Sequence, residues 1–198
     1  MRRQNCDRDL AIVVAAVGVV AGGARAARRG RWLAVENRAF DAVNGLDPRG
    51  HRPAWVAMQL GSLGGALVTG GLVALGGRAR LGRRLGVVGT LAWLGSKAVK
   101  PFVGRGRPAT ELARARVLGR EQAGLGYPSG HAAVAVAMAS AVAPQLAPRL
   151  RPVVWLGALG VGATRMYVGA HLPLDIVGGV ALGVGTERVV RIVTAHDW

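Results

Sequence analysis

Cysteine is almost missing from this chain. The single one, Cys6, allows no intrachain disulfide and no thiolate metal site. It also precedes the first apolar run, which is not where a lipidated signal-peptide cysteine sits. Acidic side chains are scarce too: ten Asp and Glu stand against 26 Lys and Arg, leaving a formal net charge of +16 over 198 residues. Internal repeats and low-complexity linkers are absent, so nothing divides the sequence, and residues 1–198 read as a single domain.

What is present is a pairing seldom found in a soluble domain, with 51% hydrophobic residues under that large positive charge. A nucleic-acid binder would spread Lys and Arg along helices or between aromatics. Here they cluster between long stretches of Ala, Gly, Val and Leu, and no nucleic-acid partner is expected. Such segregation marks a membrane protein whose basic residues lie at the water boundaries. The 31 glycines fit, because small residues let membrane helices approach closely.

Six apolar segments can be read along the chain. They cover 10–24, 54–77, 85–103, His131 to about Pro148, 152–168, and 174–186 or slightly beyond. Segment 54–77, with 24 uncharged residues, is the clearest span. Several others fall short of the ~20 residues that cross a bilayer core, and polar residues at their ends would complete them. The first could instead be a cleaved signal peptide, since Ala24-Arg25-Ala26 resembles a cleavage site; Asp7 and Asp9 in the leading segment favour an uncleaved anchor. Residues 31–45 place Trp32, Val35, Phe40 and Val43 at roughly helical spacing, the pattern of an amphipathic interfacial helix. The expected fold is therefore all-α, an integral membrane bundle of six transmembrane helices with that interfacial helix between the first two spans. Lys and Arg are nearly balanced between the two sides of such a layout, so the positive-inside rule does not orient it. Gly179 and Gly183 form a small-xxx-small pair that can pack helices within or between chains.

Three polar islands fall on one side of this layout: Lys100 through Arg107-Pro108, Pro128-Ser129-Gly130-His131, and Thr164-Arg165 through His171 to Asp175. With Lys100, Arg107 and Arg165 as cations, two imidazoles, one carboxylate and a helix start, they make an inventory for gripping a tetrahedral oxyanion. Gly130 opens a helix whose first N–H groups have no intrahelical partner, so phosphate could bind the amides around Ser129 and Gly130. His131, in the first turn, would be placed to protonate a leaving oxygen. Taken alone, the stretch equally fits a capping turn with an incidental histidine. Pro173 suits a first helical turn, which puts His171 just before the helix and lets Asp175 reach back to its ring. An Asp on one ring nitrogen fixes the tautomer and frees the other nitrogen as a nucleophile. Lys100, Arg107 and Arg165 are costly at span ends unless they serve a ligand, and Arg suits bidentate phosphate contact. Asp175 is the one acidic residue in the islands, so no carboxylate cluster exists there for a two-metal site.

Lys-x6-Arg-Pro, then Pro-Ser-Gly-His, then Arg-x5-His-x3-Asp resembles the three-part signature of the type 2 phosphatidic acid phosphatase family, in order and in spacing, over about residues 90–186. Thr164 departs from the serine more usual there, with its hydroxyl retained. The resemblance implies a metal-independent, cofactor-free phosphohistidine mechanism. His171 would attack phosphorus with Asp175 orienting it, and Lys100, Arg107 and Arg165, helped by Ser129 and Gly130, would hold the oxygens. His131 would protonate the leaving lipid oxygen. The expected partners are the bilayer and a lipid phosphate: a polyprenyl phosphate or diphosphate, phosphatidic acid or phosphatidylglycerol phosphate. The expected location is the cytoplasmic (inner) membrane with an extracytoplasmic site. A lipid phosphotransferase using the same histidine, and a non-catalytic bundle that binds a phosphorylated ligand, remain alternatives; membrane spans argue against a soluble vanadate-dependent peroxidase. The sequence leaves oligomeric state open.

Overall fold

The computed structural model describes residues 2–29 and 33–194. Among these every regular element is helical: α1 Arg2–Arg29, α2 Leu33–Asn44, α3 His51–Met58, α4 Leu63–Leu75, α5 Ala79–Val103, α6 Pro108–Glu111, α7 Gly130–Val142, α8 Arg151–Tyr167 and α9 Pro173–Val193. The apolar helix α7 sits at the centre, flanked by α5, α8 and α9, while α4 packs on α5 and α1 on α9. Its Ala and Val side chains are almost all buried, so it meets neighbours all round.

Segment 54–77 is not one straight helix. It breaks at Ser62, and the halves, taken as Pro48–Gly61 and Leu63–Leu75, meet at 67°. Ser62 causes the break by taking an extended backbone and capping α4: its Oγ accepts from Gly65 N–H at 2.9 Å and donates to Gln59 O at 2.7 Å. Gly61 lets the corner close on α7, for a Cβ there would stand 2.5 Å from His131 O. Among the described residues one helix, over Gln4–Arg29, is by itself long and apolar enough to cross a membrane, and the bent pair passes the same test when joined. The rest are shorter or carry charge: α7 has 13 residues, and α9 contains Glu187, Arg188 and Arg191.

Small residues set the helix spacing. On α9, a Cβ at Gly179 would lie 2.5 Å from Ser129 O, and one at Gly183 would collide with Ala133 O. The small-xxx-small pair thus seats α9 on α7 within the chain. About three turns beyond Asp175 along α9, the fully buried Glu187 collects Arg84 of α5 (2.5 Å), Arg188 (2.5 Å) and Arg191 (3.1 Å). Arg188 also reaches Asp9 of α1 at 3.3 Å. A buried carboxylate is tolerated only when paired in this way, and the network clasps α1, α5 and α9 at that end.

Helix α2 occupies the stretch where the amphipathic helix was expected; Trp32 lies outside the described residues. Its inward residues are Glu36, Phe40 and Asn44, whereas Val35 is exposed. Asn44 Nδ2 donates to Arg116 O and Tyr167 O, both at 2.9 Å, and its Oδ1 accepts from Arg116 N–H at 2.9 Å. This polar clip fixes residues 104–127 over the end of α8. Gly169, at φ +76°, leaves no room for a Cβ against Arg116 O, so the strap lies directly on the loop that carries His171.

Candidate active site

Three chain segments converge at one end of the bundle. Lys100 stands in the last turn of α5, which Gly104 ends in a left-handed cap at φ +68°. Arg107 begins α6, held by its N–H donating to Thr110 Oγ1 at 3.0 Å. Ser129 caps α7, accepting from Ala132 N–H at 3.5 Å, and its own N–H donates to Asp175 O at 2.8 Å. Gly130 is the first residue of α7 and His131 follows it. Arg165 lies in the last turn of α8. His171 precedes α9, Pro173 starts that helix, and Asp175 faces inward from its first turn.

Lys100 and Arg107 bond to neutral groups, and Arg165 does so only in part. Lys100 Nζ donates to the carbonyls of Leu125 (2.7 Å) and Gly126 (2.9 Å). Arg107 donates from Nε to Gly124 O at 3.1 Å and from Nη1 to Ala170 O at 2.9 Å. Arg165, only 2% exposed, reaches Met58 Sδ at 3.2 Å with Nη1, and its Nε has no partner. All three lie within electrostatic reach of His171 and His131. Asp175, whose charge Lys100 and Arg107 feel, is engaged by Arg105 and His171. Half-buried Lys100 and Arg107 and buried Arg165, with no ion pair among the described residues, make a site that gains by taking up an anion.

Behind them, His171 is almost fully buried, with Nδ1 3.2 Å from Asp175 Oδ2. The same oxygen accepts Leu172 N–H at 3.0 Å. An ionised carboxylate only accepts, so Nδ1 carries the proton and the Nε2 lone pair is free. Burial first, then Arg165, Arg107 and Lys100, hold the His171 imidazole well below its usual pKa, which keeps it neutral.

Two residues complete the site without belonging to the three islands' expected set. Arg105 Nη1 donates to Asp175 Oδ1 at 3.1 Å, and its Nη2 donates to Glu36 Oε2 at 2.5 Å. Glu36 Oε1 in turn accepts Leu174 N–H at 2.8 Å, so α2 is anchored to the start of α9. Arg105 stands in plain view between Lys100 and Arg107, but spacing does not distinguish it from a boundary charge. Glu36 is one acid in a segment legible only by its apolar spacing. Tyr127 is also fully buried; its hydroxyl donates to Val20 O at 2.7 Å, and glycines at 23 and 178 leave room for its ring between α1 and α9. The Tyr127–Pro128 peptide is cis. Among the described residues no group of three His, Cys, Asp or Glu could serve as a metal-ligand set.

Comparison with solved structures finds the same fold in two proteins. One is Aquifex aeolicus LpxE, at TM-score 0.66 and 23% identity, covering 77% of this chain and 92% of that one. The other is the transmembrane PAP2 type phosphatidylglycerolphosphate phosphatase from Bacillus subtilis, at TM-score 0.67 and 20% identity, covering 96% and 97%. Comparison with curated proteins finds no match. The family model of the PAP2 superfamily matches residues 82–196, a stretch that includes the three cations, both histidines and Asp175. With more than half of its length so matched, the chain belongs to the PAP2 superfamily.

Proposed function

We propose that this protein is an integral membrane lipid phosphatase that hydrolyses the phosphomonoester or diphosphate of a lipid through a phosphohistidine, without a metal. One observation carries the reading: Lys100, Arg107 and Arg165 lie within electrostatic reach of a neutral, Asp-oriented His171 and hold no counter-ion among the described residues. Phosphoryl transfer demands positioning and charge stabilisation above all, and three fixed cations supply both.

In this reaction the His171 Nε2 lone pair attacks phosphorus. A P–N bond forms as the P–O bond to the lipid breaks, and the leaving oxygen takes a proton from His131, whose imidazolium form the bound phosphate's negative charge favours. Asp175 stabilises the positive charge on the phosphorylated His171 ring. Water then attacks phosphorus, the P–N bond breaks, and the water proton returns to His131. The α7 helix start, capped by Ser129, supplies the Gly130 N–H as a donor to the phosphate oxygens.

The six membrane-crossing segments are α1, the bent α3–α4 pair, α5, α7, α8 and α9, with α2 at the interface. Charged ends on short helices are suited to the boundary, where long side chains reach water. Both termini then lie in the cytoplasm and the site faces outward from the inner membrane. Polyprenyl phosphates and diphosphates, phosphatidic acid and phosphatidylglycerol phosphate all present the chemistry the site takes. The test is inorganic phosphate release from a panel of these lipids with EDTA present. Activity persists, and His171→Ala abolishes it; loss in EDTA overturns the metal-free route, and turnover in His171→Ala overturns the nucleophile.

A further inference from the structure

Away from the catalytic pocket, α1, α5 and α9 enclose a lateral trough of about 940 Å³, at the upper end of ordinary ligand-site volumes of about 300–1,000 Å³. Its walls are hydrocarbon, with Val17 and Ala21 of α1, Leu91 and Phe102 of α5, and Ala181 and Val189 of α9 among them. Apart from Thr186, polarity is confined to one end, where the lining includes Arg25, Arg28 and Arg29, and among the described residues no carboxylate lines it. Arg28 and Arg29 form the last turn of α1. That end lies at the catalytic end of the bundle, because Arg28 and Val103 also line an adjoining cavity of about 580 Å³ that reaches Arg105 and Leu172. The adjoining cavity does not include Lys100, Arg165 or His131. It reaches the site through Arg105, which is bonded to Asp175.

We infer that this trough is a second lipid site, which holds an anionic glycerophospholipid with its acyl chain between α1, α5 and α9 and its phosphate on Arg25, Arg28 and Arg29. An apolar channel capped at one end by uncompensated cations matches an amphiphile with a negative head, and it matches neither a zwitterionic lipid nor a soluble anion. A phosphodiester head stays unhydrolysed there, since the trough brings no histidine to it. The inference rests on the membrane reading above but not on turnover.

Native mass spectrometry of the full chain in detergent tests it, with phosphatidylglycerol, phosphatidylcholine of the same acyl chains, and inorganic phosphate as probes. Phosphatidylglycerol forms a retained adduct that the other two do not. Each arginine at an anionic head is worth about fivefold in affinity, so Arg25→Gln/Arg28→Gln/Arg29→Gln together weaken the adduct roughly 100-fold. Ala21→Trp, on the exposed wall of the trough, removes it by filling the acyl channel. Both variants keep wild-type hydrolysis of a short-chain, water-soluble phosphate ester, which shows that they fold. The adduct survives in Lys100→Ala and His171→Ala. Equal retention of phosphatidylcholine, unchanged binding in the arginine variant, or loss of the adduct in Lys100→Ala each overturns the site. So does a dimer crosslinked through Val17 that excludes lipid.

Discussion

Arg105 grips the oxygen of Asp175 that His171 leaves free: Nη1 donates to Oδ1 at 3.1 Å while Oδ2 faces His171 Nδ1. Burial opposes the charge on Arg105, but hydrogen bonds and charge from Glu36 and Asp175 more than offset it and raise its pKa. The guanidinium is a fixed bridge between two buried carboxylates. Arg105→Met is expected to lower kcat about 10–100-fold, the usual cost of losing a group that orients a catalytic one, with little change in KM. It also strands Glu36 in the interior, at a cost of about 3–5 kcal/mol of stability. The double variant Glu36→Gln/Arg105→Met should regain most of that stability without regaining kcat. Thermal unfolding and steady-state kinetics check this, and joint recovery of both would reduce Arg105 to a folding role.

How much of this was legible beforehand follows from what sequence patterns encode. The placement of Lys100, Arg107, Ser129, His131, Arg165, His171 and Asp175 is legible because each sits near a helix end, where hydropathy changes and turn residues mark the boundary. The reach of Asp175 back to Leu172 N–H and His171 follows from Pro173 starting the helix. Arg105 and Glu36 escaped because their partnership spans 69 residues, and no local spacing records a contact between separate elements. The bend at Ser62 escaped for another reason: hydropathy is blind to a serine cap and to glycines that let one backbone touch another. Six apolar runs were readable, but their crossing of a membrane is a matter of length and charge that the individual helices meet unequally.

Arg165 is buried and cationic, and among the described residues its Nε has no partner, a cost that an oxyanion at this position would relieve. Arg165→Met should therefore abolish phosphate release while raising stability by about 1–3 kcal/mol, the penalty of one unsatisfied buried donor. Orthovanadate, a phosphate-like oxyanion, should raise the melting temperature of the wild type and not of the variant. A less stable Arg165→Met protein would show that the guanidinium is already compensated.

The depressed pKa of His171 gives a pH prediction with a definite sign. As the proposed nucleophile, His171 must be neutral, so lowering its pKa moves the acid limb of kcat/KM below the ordinary imidazole value of 6.5. The same shift affects stability. Below pH 6.5 the unfolded chain takes up a proton at this position and the folded one does not, so stability is complete above that pH and declines as pH falls. His171→Gln should flatten this part of the stability profile. An acid limb at or above 6.5 would mean that the buried pair binds its proton more tightly than its surroundings indicate.

The corner at Gly61 touches the backbone carbonyl of His131, which links the break in the α3–α4 pair to the proposed proton donor. If His131 protonates the leaving oxygen, its loss matters most where that oxygen is basic. His131→Ala should slow hydrolysis of a lipid phosphate about 10²–10⁴-fold, the range of general acid help, and that of an aryl phosphate with an acidic phenol much less. Gly61→Ala inserts a methyl where 2.5 Å is available, so α7 or the corner must shift, at about 1–3 kcal/mol. Its kinetic defect should follow the same leaving-group pattern as His131→Ala, in milder form, because the displaced atoms carry that imidazole. A defect equal for both substrates would place the effect of Gly61 on the bundle as a whole and leave His131 where it stands.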